Sequence, residues 1–156
     1  MKLDRPSHPD PIAFVIRAKA FKDAADIVTE RISPGQVEIR EGDYTGFAVI
    51  PAVFLYFRSI ELALKGVLGH HSVPERRIAR EIGHDLALLL DECGRFESLD
   101  ALGIDSRTET MLRENSDSYS KKWLEYSDDL WCTPDVQALK EACAAVYAAA
   151  PAYETE

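Results

Sequence analysis

The chain has few cysteines and no pattern that would join them. Cys93, Cys132 and Cys143 are an odd number at wide spacings, with no C-x-x-C pair. A disulfide framework needs an even number of cysteines and a zinc knuckle needs close pairs, so neither is predicted. Unpaired thiols are typical of a reducing compartment, and we expect a cytoplasmic protein.

Long hydrophobic runs are also missing. The longest, residues 47–57, is too short to cross a bilayer and is followed by Arg58. Residues 1–10 contain two prolines and alternating charges where a secretion signal would need an apolar core. We expect neither export nor insertion into a membrane.

The chain has fewer basic than acidic residues. The formal net charge of −9 repels a polyanion at long range, which argues against a non-specific nucleic-acid coat protein. The segment 70–84 is the exception, because it holds three of the four histidines together with Arg76, Arg77 and Arg80. An anionic ligand such as RNA or a nucleotide would meet the protein at this basic loop.

Two kinds of catalytic motif are missing. The chain has neither a glycine-rich phosphate loop nor the G-x-S-x-G elbow of a serine nucleophile. His70, His71 and His84, with Glu81 and Asp85, lack the H-x-x-x-H or H-E-x-x-H spacing by which a helix holds a metal. We therefore predict no metal and no other cofactor.

The composition that remains is that of a folded helical domain. A chain of 156 residues with 46% hydrophobic content can bury a core without disulfides or metal, so we predict one domain, 1–156. Apolar residues recur at spacings of three and four along most of it, and no convincing strand is visible. The pattern predicts an all-α, up-and-down bundle of four to five helices.

Capping signals place these helices along the chain. The first is expected to begin after Asp10 and end at Pro34-Gly35, and the second, central helix to begin near residue 45 or at Pro51. Capping-box patterns at Ser72-x-x-Glu75 and Ser106-x-x-Glu109 predict a short helix over 75–82 and the start of the fourth long helix. The third should run from near His84 to Gly94, and Thr133-Pro134 should cap the fifth. Tyr119, Trp123 and Tyr126 are expected to form an aromatic core stripe.

Arg58, Glu61 and Lys65 lie on one face of the central helix, at i, i+3 and i+7. They could form a solvated stripe, in which Glu61 and Lys65 contribute about 0.2–0.5 kcal/mol as an ion pair. Alternatively the row faces a cleft or another helix, where buried charges must be paired. Apolar neighbours on both sides favour the second interpretation.

His84 and Asp85 follow Gly83 at a predicted helix start. A structural interpretation has Asp85 stabilising the helix end while His84 bonds to Glu61 or to a backbone carbonyl. A functional one has His84 shuttling a proton while Arg58 or Arg80 binds a phosphate oxygen. The sequence leaves both open.

The chain resembles the HEPN superfamily, small all-helical domains of prokaryotic toxin–antitoxin, antiviral and nucleotidyltransferase-associated systems. The resemblance rests on RSIELALK at 58–65, on GHDL at 83–86 with Leu89-Leu90 behind it, and on Tyr119-x-x-x-Trp123-x-x-Tyr126. It implies a helical bundle, a homodimer, and an antitoxin or nucleotidyltransferase as a possible partner protein.

Ribonuclease members of that superfamily use an arginine and a later histidine with four to six residues between them, without a metal. The resemblance puts Arg113 at the arginine position, but Ser118 stands where histidine is expected. Arg77 and His84 satisfy the loose spacing, although they precede the third core helix, which is the wrong place for the pair. The resemblance thus supports the fold better than the activity.

Two functions follow from these residues. The favoured one is a HEPN-like interaction or ligand-sensing domain without nuclease activity, in which Arg58, Glu61, Lys65, Asp85 and Arg113 form a polar network or bind a ligand. The alternative is a metal-independent endoribonuclease with His84 as acid and base and Arg58, Arg77 or Arg80 holding the scissile phosphate. Whether the chain is an enzyme stays open at this point.

Overall fold

A computed structural model describes residues 10–31, 49–121 and 135–150. These residues form an all-α bundle and no strand, as the periodicity predicted. Between α2 and α3 a π-helix spans Arg77–Ile82, and a 3-10 turn at Asp100–Leu102 precedes α4. The α-helices are α1 (Pro11–Glu30), α2 (Val49–His70), α3 (Leu86–Cys93), α4 (Ser106–Ser120) and α5 (Val136–Ala149).

Helix α1 begins where the sequence indicated. The Asp10 side chain accepts a hydrogen bond of 2.9 Å from the backbone N–H of Ile12, and Pro11 fills the first helical position. The helix ends at Glu30, four residues before the predicted stop at Pro34, with Arg31 as its C-cap. Two small residues of this helix, Ala18 and Ala25, are fully buried.

Helix α2 is the centre of the fold. It contacts α1, α3 and α5, and its Tyr56, Phe57, Ile60 and Leu64 are completely or almost completely buried. The helix begins at Val49, and Pro51 lies in its first turn, where the missing N–H costs no intrahelical hydrogen bond.

Helices α1 and α2 run antiparallel. Early α2 residues meet late α1 residues, since the Tyr56 hydroxyl donates to Asp26 Oδ1 at 2.7 Å. Further along α2, the Ser59 hydroxyl donates to the Ala18 carbonyl, also at 2.7 Å. These two hydrogen bonds fix the register of the helix pair, and they give each hydroxyl a partner inside the fold.

The connection from α2 to α3 differs from the predicted one. Ser72 is not a helix cap, because its backbone is left-handed (φ 59°) whereas a capping residue needs an extended conformation. Residues 75–82 are helical as expected, but 77–82 are wound as a π-helix whose Ile78 and Ile82 are buried. Gly83, with φ 59°, then ends the helix immediately before His84.

Aspartates cap the last three helices. The predicted cap Ser106 is instead the first residue of α4, because the Asp105 carboxylate accepts the hydrogen bond from Thr108 N–H at 2.7 Å. An ionised carboxylate also interacts more favourably with the helix dipole than a hydroxyl does. Asp85 caps α3 and Asp135 caps α5 in the same way. The prediction that Thr133-Pro134 caps the fifth helix is therefore wrong, because the cap is Asp135; Thr133 and Pro134 lie outside the described residues.

Helix α4 reaches the core through its last turn. It packs mainly against α3, and the Tyr119 ring lies 5.8 Å from Phe54 and 5.5 Å from Phe57 of α2 between ring centroids. Tyr119 is buried, as predicted for the aromatic stripe. Trp123 and Tyr126 fall outside the described residues.

Gly103 allows the 3-10 turn to approach α5 closely. Its backbone is left-handed (φ 74°), and a Cβ atom there would lie 2.5 Å from the Ala145 carbonyl oxygen. We expect Gly103→Ala to lower the free energy of unfolding by about 2–4 kcal/mol, measured by urea denaturation. Gly94→Ala, on an ordinary right-handed backbone (φ −60°), should change it by less than about 1 kcal/mol. Equal losses in the two variants would contradict the close approach.

Candidate functional site

The candidate site is built around the carboxylate of Glu61. This side chain has no exposed surface, and Lys65, one helical turn later, retains only 8% of its side-chain exposure. Arg58 lies on the same face of α2 and is 28% exposed. The row is therefore not a solvated stripe, and the interpretation in which it faces other elements of the fold is confirmed.

Both oxygens of Glu61 are fully engaged. Oε1 accepts from Lys65 Nζ at 2.6 Å and from Arg58 Nη1 at 2.8 Å. Oε2 accepts from the Tyr119 hydroxyl of α4 at 2.5 Å. A buried carboxylate is stable only if its charge is balanced and its lone pairs are filled, and both conditions are met here.

His84 approaches the same carboxylate from the turn before α3. Its Nδ1 lies 3.1 Å from Glu61 Oε1, 3.2 Å from Oε2 and 3.0 Å from Arg58 Nη1. Protonated Nδ1 can donate to Glu61, and unprotonated Nδ1 can accept from Arg58. The ring is therefore held in place in either tautomer, while 54% of the side chain remains exposed.

Arg58, Glu61, Lys65, His84 and Tyr119 are called the Glu61 cluster below. They come from α2, from the turn after the π-helix, and from α4. The cluster holds two basic side chains, Arg58 and Lys65, and one carboxylate, and therefore has an excess of positive charge in a chain whose net charge is −9. Arg58 and His84 are the members that reach solvent.

The surroundings of Glu61 keep it ionised. Burial alone would raise its pKa, but the charge and hydrogen bond of Lys65, the Tyr119 hydroxyl and the Arg58 charge act together in the opposite direction. The net effect is a pKa below the ordinary glutamate value. Burial, and then the neighbouring Glu61 charge, raise the pKa of Tyr119, so its hydroxyl stays a hydrogen-bond donor.

Asp85 has a structural position beside the cluster. Its Oδ1 accepts from Leu88 N–H at 3.0 Å and from the Ser116 hydroxyl of α4 at 2.9 Å. The same Ser116 oxygen accepts from Ala87 N–H at 3.1 Å. Asp85 thus caps α3, as the structural interpretation predicted. It also ties α3 to α4, which was not predicted, and it is not a hydrogen-bond partner of Glu61.

The other predicted arginines are not among the hydrogen-bond partners of Glu61. Arg113 donates to Asp91 at 2.8 Å and to Glu109 at 2.9 Å. Arg77 donates to Glu92 at 2.8 Å. Glu92 lies near the end of α3, about 10 Å along the helix axis from the beginning of α3, which is next to His84. Arg80 is exposed and is not among the partners of Glu61. The structure brings His84 together with Arg58 rather than with Arg77.

Two cluster-related hydroxyls were missed by the sequence reasoning. Tyr119 was assigned to the core for its ring, and Ser116 was given no role, yet both bond to acidic groups 58 and 31 residues away. The role of Tyr119 could have been predicted from the sequence, because a tyrosine in a buried apolar stripe still needs a hydrogen-bond partner for its hydroxyl.

No protein-family model, curated protein or solved structure matches this chain. Among residues 10–31, 49–121 and 135–150, no group of three histidine, cysteine, aspartate or glutamate side chains is arranged to hold a metal ion. No helix in the same ranges has the length and apolar character needed to cross a bilayer. The chemistry of the Glu61 cluster is therefore the basis for assigning a function.

Glu61→Gln should destabilise the fold strongly at neutral pH. The substitution leaves two cations beside a neutral amide, and breaking a buried ion pair costs about 3–5 kcal/mol. Urea denaturation at pH 7 measures this. The matched control is Glu97→Gln, which removes the partly exposed partner of His71 and should cost less than about 1 kcal/mol.

The difference between wild type and Glu61→Gln should shrink in acid. Because the folded-state pKa of Glu61 is depressed, the stability it contributes is present above the ordinary value of 4.5 and is lost as pH falls through the folded value. Denaturation of both proteins at pH 7 and at pH 3 tests this. A difference of the same size at both pH values would show that Glu61 does not act through its charge.

Proposed function

We propose that this chain is a HEPN-like helical domain that senses an anionic ligand, without nuclease activity, at the edge formed by Arg58 and His84. One observation carries the proposal: the Glu61 cluster holds more positive than negative charge, and the side chains that reach solvent from it are Arg58 and His84. Phosphate is the ligand group that an arginine beside an imidazole suits best.

The arrangement favours binding because it is rigid before a ligand arrives. Glu61 holds Arg58 Nη1 and His84 Nδ1 in place, so little side-chain entropy is lost when an anion binds to them. A guanidinium has about five donors, and donors other than Nη1 remain for a ligand. The family resemblance and Ser118, which replaces the expected histidine, support a binding role over cleavage.

Inorganic phosphate should bind to this edge. We expect a saturable NMR titration at constant ionic strength, with shifts centred on residues 58 and 84. Arg58→Lys and His84→Gln should each weaken binding about tenfold or more, since a hydrogen bond to a charged group contributes about 1.5–3 kcal/mol. Arg95→Gln, a change of another exposed arginine, should leave the affinity unaltered. Linear, non-saturating shifts, or equal losses in all three variants, would count against the proposal.

The second candidate is a metal-independent endoribonuclease, and one contact favours it. A buried carboxylate 3.1 Å from His84 Nδ1 orients the ring of this half-exposed side chain, as the carboxylate partner of a general-base histidine does. His84 Nε2 would take the proton of a ribose 2′-OH, and Arg58 would stabilise the charge on the phosphate.

Cleavage of single-stranded RNA in EDTA separates the two functions. We expect no cleavage by the folded wild-type protein over a panel of RNA sequences. Cleavage that gives a 2′,3′-cyclic phosphate end and disappears in His84→Gln would establish the endoribonuclease instead. Circular dichroism of both proteins confirms that a negative result does not arise from unfolding.

A further inference from the structure

We propose that the groove between α4 and α5 binds a linear aliphatic polyamine, a ligand in which ammonium groups alternate with short methylene chains. No member of the Glu61 cluster lines this groove, so the second site is independent of the Arg58–His84 edge. The size of the groove, its apolar floor and its negative rim each point to this class of ligand.

The groove exists because α4 and α5 pack against other parts of the fold rather than against each other. Helix α4 packs mainly on α3, whereas α5 packs on α2, on α1 and on the 3-10 turn. The space that remains has a volume of about 410 Å³, within the range of about 300–1,000 Å³ for small-molecule sites. Its lining extends over residues 107–115 and 135–145, which are about 12 Å and 15 Å of helix. A groove of that length and volume suits an extended chain better than a compact ring system.

The floor of the groove is apolar and made mostly of small residues. Met111 of α4 lies there with residues that have no side chain beyond Cβ, namely Gly103, Ala138, Ala142 and Ala145. The Met111 side chain is flexible and adapts to the shape of a ligand. Methylene groups leave water on such a surface, which favours an aliphatic chain over a bare metal ion.

Carboxylates lie at both ends of the groove. Gly103 lies against the Ala145 backbone, so α4 begins beside the last turns of α5. The cap of α4, Asp105, is therefore at one end, and the cap of α5, Asp135, lies about 15 Å from Ala145 along α5. The other charged residues of the lining are Glu114, Glu141 and Arg107. Four carboxylates against one guanidinium give the groove a potential that attracts cations along its whole length.

Two of these carboxylates lack a cationic partner. In the described part of the chain, Glu114 makes no hydrogen bond and no ion pair, and Glu141 accepts from the neutral amide of Gln137 at 2.9 Å. An ammonium group beside either one would form a charge-assisted hydrogen bond. Both side chains are exposed, and a single exposed ion pair stabilises little. Several ammonium groups on one molecule are therefore needed, which favours a polyamine over a monoamine.

Isothermal titration calorimetry with spermidine tests the proposal, at about 0.15 M salt, where long-range attraction is screened. We expect saturable binding of one spermidine per chain. Glu114→Gln and Glu141→Gln should each weaken it about threefold or more. Ala138→Leu fills the groove without changing the charge and should weaken binding about tenfold or more. Leucine is a good helix former, and circular dichroism checks that each variant is folded.

The matched control is Glu81→Gln, which removes one negative charge from an exposed position of the π-helix outside the groove. It should leave the Kd unaltered, and a loss equal to that of Glu114→Gln would overturn the proposal in favour of general attraction to the net charge of −9. Hexaamminecobalt(III) has the charge of spermidine without its methylene groups and should bind about tenfold more weakly or less. Equal affinity for the two cations would overturn the role of the apolar floor.

Two further results would contradict polyamine binding while leaving the Arg58–His84 edge unaffected. One is the absence of saturable binding by spermidine to the folded wild-type protein. The other is self-association, measured by analytical ultracentrifugation, that Ala138→Leu abolishes, because it would assign the groove to a second copy of this chain.

Discussion

The buried carboxylate of Glu61 is the constraint on which the arrangement of the helices depends. It lies on the most buried helix, so its charge must be balanced inside the protein, and the groups that engage it come from three separate places in the chain. Helix α4 has few backbone contacts with α2, yet the Tyr119 hydroxyl fixes its last turn to this point. Hydrophobic burial brings the helices together, and Glu61 determines which side chains must meet.

A second polar junction supports the first. The Asp85 carboxylate and the Ser116 hydroxyl link the beginning of α3 to α4, one residue beyond His84. The position of the His84 ring is therefore fixed from both sides, by Gly83 at the end of the π-helix and by the cap of α3. A π-helix widens the turn by one residue, and such irregular segments are frequent next to functional sites because they redirect a side chain.

The sequence predicted the fold class because helical periodicity depends on local spacing, which a single chain contains. It also placed Arg58, Glu61 and Lys65 on one face. It could not show whether that face is exposed to solvent or covered by another helix, because Tyr119, which bonds to Glu61, is 58 residues away along the chain. The π-helix was missed for a similar reason, since its winding depends on how Ile78 and Ile82 fit the core. The predicted cap of α4 was wrong by one residue, because Asp105 and Ser106 are adjacent and both are residue types that cap helices.

The composition of the Glu61 cluster also limits how this chain can change over generations. Loss of Glu61 alone leaves Lys65 and Arg58 unbalanced in the core, and loss of Lys65 or Tyr119 alone leaves the carboxylate with an unfilled position. An intermediate with one member replaced is less stable than either the complete set or a fully apolar substitute. Descendants of this sequence should therefore keep these side chains together or exchange them together, and the cluster would be inherited as one unit.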